Sequence, residues 1–208
     1  MLEPNLVFRL VAFMSLISSC FTSIVQSACN RGCDLALGSY YTGPSNDVFS
    51  IAEYINTDAS KILKYNQDTI PNVQSFVRIN VPFSCDCIDG EFLGHVFNYD
   101  LTSGDTYETI AQQSYSNLTT ADWIQRFNTY DSDRLPDTGN VNVTVNCSCG
   151  NRKISKDYGL FLTYPLWPEE TLDSISSAAN LSSELIRSYN PDATFSQGSG
   201  LIYIPWRG

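Results

Sequence analysis

The chain has 208 residues and a formal net charge of −10, because 22 Asp and Glu residues outnumber 12 Lys and Arg residues. An acidic field without a basic stripe argues against nucleic acid and anionic membrane surfaces as partners. The length is sufficient for one or two ordinary domains or for several small ones.

The N-terminal residues 1–27 have the pattern of a secretory signal peptide. Arg9 precedes an apolar run that begins at Leu10, and small residues lie near Ser27. A basic start, an apolar stretch and small residues at the cleavage site are typical of such signals. A buried N-terminal helix is the alternative interpretation. No later segment approaches the ~18 apolar residues of a membrane span, so we expect the processed chain to be soluble.

Seven cysteines are present, and Cys20 lies within the signal segment. The others form close pairs, namely Cys29 and Cys33, Cys85 and Cys87, and Cys147 and Cys149. An even number of cysteines in a secreted chain predicts disulfides throughout, although spacing alone does not choose their pairing. Two cysteines separated by one residue do not easily bond to each other, so each C-x-C pair should reach another pair. Zinc is the alternative, and a secretory chain with His95 as its single histidine argues against it.

Three segments of similar sequence follow one another, and each predicts a short helix that ends in an aromatic residue and Asn. They are NTDASKILKYN at 56–66, NLTTADWIQRFN at 117–128 and NLSSELIRSYN at 180–190. Strand-like runs follow them, namely FVRINVPF, VNVTVN and LIYIP. Asn66, Asn128 and Asn190 are equally spaced, and a fixed period indicates a repeated structural unit. We expect each Asn to stop its helix by tolerating left-handed backbone geometry and hydrogen-bonding locally.

The middle repeat gives the most detailed prediction. Asp105 with Glu108 predicts a capping box at the start of a first helix, and Thr119 with Asp122 predicts the N-cap of a second helix. The predicted inward face of the first helix carries Tyr107, Ile110, Ala111 and Ser114. Upstream, GHVFNYDL is strand-like, and downstream the alternation of valine with polar residues in NVNVTVN predicts a half-buried strand. The unit is therefore strand, helix, helix, strand.

This βααβ unit, with its N-x-(T/S) start and aromatic-Asn end, resembles a LysM domain. Three such units with C-x-C spacers resemble the ectodomain of plant LysM receptor-like kinases, in the branch of chitin-elicitor and Nod-factor receptors. The stretches that carry the likeness are CDLALGSYY, VPFSCDCIDGEFLGHVFNYDLTSGDTYETIA, VNVTVNCSCG and SKDYGLFLTYPL. The resemblance implies an α+β fold of three βααβ LysM modules clamped together by disulfides, over residues 28–88, 89–150 and 151–208. The cysteine pairing that it implies is Cys29–Cys87, Cys33–Cys149 and Cys85–Cys147.

The resemblance also implies a sugar-binding groove in the second module, between LTSGDT at 101–106 and YDSDRLPD at 130–137. Backbone groups there suit acetamido sugars, Gly104 permits close backbone approach, and Leu135 offers an apolar seat for a methyl group. The expected ligand-binding residues are Ser103, Gly104, Asp105, Thr106, Glu108, Ala121, Ser132, Asp133, Arg134 and Leu135. Structural roles are the alternatives, with Asp105 and Glu108 as helix caps and Leu135 in the core.

Four N-glycosylation sequons match a secretory route, at Asn117, Asn142, Asn146 and Asn180. Glycans at these sites would mark surface away from the groove. Two tryptophans depart from the family's pattern, Trp206 where a glycine is commoner and Trp167 where a basic residue is common. For Trp167 we favour packing over a role as a sugar platform.

The implied function is an extracellular receptor ectodomain that binds chitin, an N-acetylglucosamine oligomer, at the plasma membrane and triggers immune signalling. The alternatives are a symbiosis receptor for lipo-chitooligosaccharides, a soluble secreted chitin binder, and a co-receptor that mainly binds another ectodomain. The partners would be the oligosaccharide and a co-receptor or second copy joined through it, without a cofactor, a metal or nucleic acid. The family implies a transmembrane helix and a cytoplasmic serine/threonine kinase after the third module, and neither lies in these 208 residues.

Catalysis is the remaining alternative. Glu169 with Glu170, or Asp131 with Asp133, could be cast as paired carboxylates for glycoside cleavage. However, repeats and spacers account for every stretch and leave no catalytic domain, and the sequence places no nucleophile beside His95. We therefore expect no enzymatic activity from this chain.

Overall fold

The structure is a computed structural model that describes residues 29–44, 47–67 and 75–206. The expected signal peptide lies outside these residues. The strands are β1 (Cys33–Tyr41), β2 (Arg78–Ile88), β3 (Phe92–Asp100), β4 (Asn140–Asn146), β5 (Leu160–Pro165) and β6 (Leu201–Trp206). The helices are α1 (Val48–Tyr54), α2 (Ala59–Lys64), α3 (Tyr107–Thr109, continued by a π-helical turn at Ile110–Ser114), α4 (Ala121–Arg126), α5 (Leu172–Ala179) and α6 (Ser183–Tyr189). The expected α+β fold of three consecutive βααβ modules is confirmed.

The modules are joined by strand pairing as well as by disulfides. The described strands form a sheet in the order β4-β3-β2-β1-β5-β6. Within each module the two strands are antiparallel, and the first and second modules meet where Ile88 of β2 pairs with Phe92 of β3. The third module joins through a short parallel pairing of β1 with β5, at Leu37–Leu162 and Gly38–Thr163. The repeats therefore share a continuous backbone scaffold, which the repeat pattern alone did not predict.

Gly38 lies where the second module packs closely on β1. A Cβ atom at this position would be 3.0 Å from a methyl carbon of Leu118 and 3.0 Å from one of Val81. Real Cβ contacts are rarely so short, so a side chain at this position would require Leu118 and Val81 to shift.

Two hydrophobic clusters form the interior. The first and second modules share one cluster, and the third module has its own, to which β1 contributes Leu37. Buried tyrosines tie the shared cluster together, because Tyr115 donates to the carbonyl of Tyr54 at 2.7 Å and Tyr40 donates to the carbonyl of Ser114 at 3.0 Å. The predicted inward face of α3 is buried, as are the three valines of β4. The first two modules therefore depend on each other for burial.

The disulfides join Cys29 to Cys87, Cys33 to Cys149 and Cys85 to Cys147. These are the same pairs that the family resemblance implies. The sequence separations are 58, 116 and 62 residues, so each bond connects distant parts of the chain near the junctions between modules. The sulfurs of Cys33, Cys85 and Cys149 lie within 4.8 Å of one another. Because all three belong to disulfides, they offer no thiolate to a metal ion.

Both helix starts in the second module lie one residue later than predicted. Thr106 caps α3, since its hydroxyl accepts from the Thr109 amide at 3.0 Å while the Thr109 hydroxyl accepts from the Thr106 amide at 2.9 Å. Thr120 caps α4 by accepting from the Trp123 amide at 3.2 Å. Thr119 is buried instead and donates to the carbonyl of Thr144 on β4 at 2.8 Å. Neighbouring residues were equally able to cap, and at α4 the tertiary bond of Thr119 decided between them.

The repeated asparagines do not adopt the left-handed geometry that we expected. Asn190 has φ −132°, and neither Asn66 nor Asn128 is among the described residues with positive φ. Each side chain instead bonds the end of its helix to the closing strand of its module. Asn128, for example, donates to the Ile124 carbonyl at 2.7 Å and to the Asn142 carbonyl at 2.8 Å, and accepts from the Asn142 amide at 2.8 Å.

The same three bonds recur at Asn66 and Asn190 with distances of 2.6–2.8 Å and 2.7–2.8 Å. We call this three-bond arrangement the asparagine clamp. Asparagine suits it because one planar amide supplies two donors and an acceptor, as a strand's peptide groups require. The clamp fixes where the loop between the second helix and the closing strand begins and ends.

Candidate functional site

The structure brings together the two loops that were expected to form the second-module groove. The Ser103 hydroxyl donates to the Asp137 carboxylate at 2.8 Å. The Leu101 amide donates to the carbonyl of Gly139 at 2.8 Å, and the Tyr107 hydroxyl donates to the carbonyl of Tyr130 at 3.1 Å. The β3–α3 loop and the α4–β4 loop are therefore adjacent, and the Asn128 clamp holds the second of them at its base.

Gly104 lies at an open point of the first loop. Its φ is +91°, and a Cβ atom there would have no neighbour within 4 Å. Among the hydrogen bonds of the described residues, none uses the amide of Ser103 or Gly104. Two adjacent amides on an exposed loop are thus free to donate to a ligand carbonyl.

Asp105, Thr106 and Glu108 have local partners that differ from the predicted capping box. The Asp105 carboxylate accepts from the Thr102 amide at 2.7 Å and from the Thr102 hydroxyl at 3.0 Å, which closes the loop on itself. Thr106 caps α3, as described above. Glu108 is exposed and accepts a hydrogen bond from Gln112 one turn later. Asp105 therefore shapes the loop, while Glu108 is exposed on the first turn of α3.

The second loop contains an acidic turn followed by an apolar side chain. The Asp133 amide donates to the Asp131 carboxylate at 3.1 Å, and the Arg134 amide donates to the Asp131 carbonyl at 3.1 Å. This use of Asp131 and Asp133 in one turn explains the pair without catalysis. Ser132 is exposed at its tip.

Leu135 and Ala121 are both half-buried and pack against the edge of the shared hydrophobic cluster. Each side chain is thus partly core and partly available at the loops. The two loops carry more carboxylates than basic side chains, with Arg134 as the basic residue, so the local electrostatic field is negative.

The corresponding loops of the third module border a cavity of about 440 Å³, which the sequence did not single out. Asp173, Arg187 and Phe195 are among its lining residues. The Arg187 guanidinium lies 5.5 Å from the centre of the Phe195 ring. The third module therefore also has a groove between these two equivalent loops, and different side chains line it.

Trp167 and Glu170 have packing roles at the contact between the first and third modules. Arg78 on β2 lies 3.3 Å from the Glu170 carboxylate, and its guanidinium carbon is 4.0 Å from the centre of the Tyr164 ring and 5.5 Å from that of Trp167. The Trp167 amide donates to Glu170 at 2.9 Å, and its ring lies 4.4 Å from that of Tyr41. Burial, together with the hydrogen bond to Glu170, raises the pKa of Tyr164.

The acidic pair at Glu169 and Glu170 is accordingly not a catalytic pair, since Glu170 is committed to this contact. In the first module, Asp47 caps α1 by accepting from the amides of Phe49 and Ser50. Trp206, which the sequence left without a role, is half-buried at the end of β6 and packs on the third-module cluster.

His95 does have a nucleophile beside it, contrary to the prediction. The Ser84 hydroxyl lies 3.0 Å from Nδ1 of His95, and a carboxylate oxygen of Asp86 lies 3.1 Å from the same nitrogen. A catalytic relay needs the serine on one ring nitrogen and the acid on the other. Because both groups share Nδ1, the arrangement is a local hydrogen-bond cluster.

The sequons lie in different environments. Asn117, Asn142 and Asn180 are exposed. Asn146 is half-buried, and its side-chain oxygen is enclosed without a hydrogen-bond partner. Asn146 therefore offers less room for a glycan than the other three. Among the described residues, no helix is both long and apolar enough to span a membrane.

Comparison with known proteins finds a matching domain family and similar receptor kinases. The LysM domain family matches residues 162–205. The chain is 45% identical over 212 residues to LysM domain receptor-like kinase 3 of Medicago truncatula, and the match covers 98% of this chain and 34% of that protein. It is 41% identical over 213 residues to chitin elicitor receptor kinase 1 of Arabidopsis thaliana, with the same coverage of 98% and 34%. The chain thus spans about a third of the length of these curated relatives.

Solved structures agree with these relatives. The crystal structure of the LYK3 ectodomain has a TM-score of 0.83 at 47% identity, covering 86% of this chain and 92% of that chain. The crystal structure of the ectodomain of a receptor like kinase has a TM-score of 0.81 at 39% identity, covering 86% and 94%. This chain therefore belongs to the family of plant LysM receptor-like kinases and corresponds to their ectodomain.

Proposed function

We propose that this chain is the extracellular, carbohydrate-binding part of a cell-surface receptor, and that it binds chitin oligomers in the second-module groove. The observation that carries the proposal is the pair of free amides at Ser103 and Gly104, on a loop held directly against the α4–β4 loop. The relative from Arabidopsis that is called chitin elicitor receptor kinase 1 supports the choice of ligand.

The chemistry of the groove matches an acetamido sugar. The carbonyl of an acetamido group accepts hydrogen bonds, which the amides at Ser103 and Gly104 can donate. Its methyl group needs a shallow apolar seat, which the half-buried side chains of Leu135 and Ala121 can supply. Thr106 and Ser132 are exposed on the two loops, Glu108 is exposed on the first turn of α3, and all three can bond sugar hydroxyls.

The charge of the loops favours a neutral ligand. Asp105, Asp131, Asp133 and Asp137 lie on the two loops with Arg134 as the basic side chain. An anionic ligand would be repelled, whereas an uncharged oligomer gains nothing from Coulomb steering. Binding of a chitin oligomer should therefore depend weakly on salt concentration.

The biological setting follows from the same family. We infer that the chain acts at the outer face of the plasma membrane, that chitin binding initiates immune signalling, and that a co-receptor or second copy joins through the oligomer. The alternative ligand class is a lipo-chitooligosaccharide, which shares the sugar backbone and adds an acyl chain.

Titration calorimetry with a chitin octamer tests the site. Ala121→Tyr fills the space beside the apolar seat, and Leu135→Asp sets a carboxylate against a methyl group, which is costly without a partner. We expect each change to weaken binding by more than about tenfold, or ~1.4 kcal/mol. Ala59→Tyr is the matched control, because Ala59 begins α2 as Ala121 begins α4.

Unchanged affinity in both second-module variants would show that the groove is not the site. Loss of binding in the Ala59→Tyr control would move the site to the first module. A parallel titration with a lipo-chitooligosaccharide decides the ligand class, since a clear preference for the acylated ligand would replace chitin in the proposal.

A further inference from the structure

A cleft of about 410 Å³ lies between the second and third modules, and none of the expected groove residues lines it. One wall is the turn between the π-helical segment and α4, with Asn117, Thr119 and Thr120. The other wall belongs to the third module and consists of residues 165–168 and 198–201, including Trp167. The cleft thus has a sequon asparagine on one side and a half-buried indole on the other.

The turn that carries Asn117 is held firmly. Asn117 has φ +60°, and its amide donates to the Ala111 carbonyl at 2.8 Å. The preceding Ser116 hydroxyl accepts from the Tyr41 amide at 2.8 Å and donates to the Tyr41 carbonyl at 3.1 Å, which fastens the turn to the end of β1. The exposed Asn117 side chain is therefore presented to the cleft from a fixed backbone.

A row of aromatic rings continues from the cleft. The ring of Trp167 lies 4.4 Å from that of Tyr41, and Tyr41 lies 6.5 Å from Phe76, which is 62% exposed. The C–H face of an N-acetylglucosamine ring is apolar and complements the electron-rich face of an indole. The lining also offers hydroxyl groups from Thr120 and Ser199.

The equivalent asparagines of the three modules show what is distinctive about this turn. Asn56, Asn117 and Asn180 each have positive φ in the turn between the two helices of their module. The Asn56 amide group donates directly to the carbonyl of Asn98 in the next module at 3.2 Å, and Asn56 is not part of a sequon. Asn117 is a sequon residue and has the cleft between it and the next module.

We propose that the N-glycan of Asn117 folds back into this cleft, with its first N-acetylglucosamine units packed against Trp167. The glycan then fills the gap between the second and third modules and connects the two. The occupant is the chain's own glycan, because the sequon residue Asn117 itself lines the cleft, so docking costs little translational freedom compared with capture of a free sugar.

Radical footprinting of the glycosylated protein from a eukaryotic secretory host tests the contact residue by residue. Peptide mass mapping should first find Asn117 occupied, and an unmodified Asn117 would refute the proposal. The Asn117→Asp variant removes the glycan while keeping a residue that tolerates positive φ. Asn142→Asp is the matched control, with the same charge change at an exposed sequon on β4.

We expect Trp167 to be oxidised severalfold faster in Asn117→Asp than in the wild type, with no change in Asn142→Asp. Trp123 and Trp206 serve as internal references. An equal Trp167 rate in all three proteins would overturn the proposal. If instead the glycan gives no protection and added chitin tetramer does, the cleft takes free sugar and the assignment to the protein's own glycan is wrong.

A double-mutant cycle gives a second readout. Asn117→Asp should lower Tm by about 2–4 °C, the shift expected when a chain of this size loses one aromatic contact. Trp167→Ala lowers Tm by itself, since it also removes the contact with Tyr41, but adding Asn117→Asp to it should then have no further effect. Additive shifts would show that the glycan and the indole do not touch.

Discussion

The asparagine clamp makes a quantitative prediction because it occurs with the same three bonds in two different environments. Asn190 is buried, with 6% of its surface exposed, whereas Asn128 is half-buried near solvent. Alanine at either position removes the two bonds donated by the side-chain amide and the one bond that it accepts. Comparing the two variants therefore separates the value of the bonds from the cost of leaving their partners unsatisfied.

The expected magnitudes follow from burial. A hydrogen bond contributes ~0.5–1.5 kcal/mol net, and a buried group left unpaired costs ~1–3 kcal/mol more. In Asn190→Ala the carbonyls of Ile186 and Tyr203 and the amide of Tyr203 lose their partner inside the third module, so we expect a loss of roughly 3–5 kcal/mol. In Asn128→Ala water can replace the amide, so we expect roughly 1–2 kcal/mol.

Denaturant unfolding with the disulfides intact measures both losses, read from the midpoint at constant slope. Asn190→Asp adds a test of the donors, because aspartate keeps an acceptor for the Tyr203 amide but sets an anionic oxygen against two carbonyls. It should destabilise at least as much as Asn190→Ala. A smaller loss for Asn190→Ala than for Asn128→Ala would refute the reasoning, since burial would then not set the cost.

Three further predictions concern the disulfide between Cys33 and Cys149, the contact of Arg78 with Glu170, and the phenol of Tyr203. Replacing Cys33 and Cys149 together by serine opens the longest loop, of 116 residues, and should cost up to ~4–5 kcal/mol by the chain-entropy estimate, measured by denaturant unfolding. Arg78→Lys should lower the free energy of unfolding by ~1–2 kcal/mol, because lysine cannot stack on Tyr164 while bonding Glu170, and an unchanged midpoint would contradict that role. Burial raises the pKa of Tyr203 to about 12, so the folded state favours the neutral phenol. The contribution of the neutral Tyr203 phenol to stability is complete below its unfolded pKa of ~10, and it is lost as pH rises from there towards the folded pKa. Above pH ~10, Tm should therefore fall less steeply with pH in Tyr203→Phe than in the wild type.

Patterns among residues close together in the sequence predicted the secondary structure and the three modules well. The valine alternation of NVNVTVN and the inward face of α3 are local periodicities, and the residues concerned are buried as expected. The equal spacing of Asn66, Asn128 and Asn190 identified three modules. The family resemblance implied the two loops of the second-module groove, and they do meet, through Ser103 and Asp137.

Contacts between distant residues could not be found in this way. The cap of α4 moved by one residue because Thr119 bonds to Thr144, 25 residues away. His95 gained Ser84 as a neighbour only because β2 and β3 are paired.

The sequence by itself determined the modules, because each helix, strand and turn depends on side chains within a few positions of one another. Only the tertiary structure decided how the modules are assembled. The parallel pairing of β1 with β5, the contact of Arg78 with Glu170 across 92 residues, and the cleft between Asn117 and Trp167 all join parts of the chain that no local pattern relates. Such contacts depend on which surfaces meet when the modules pack together, and that choice is made by the packing of the whole molecule.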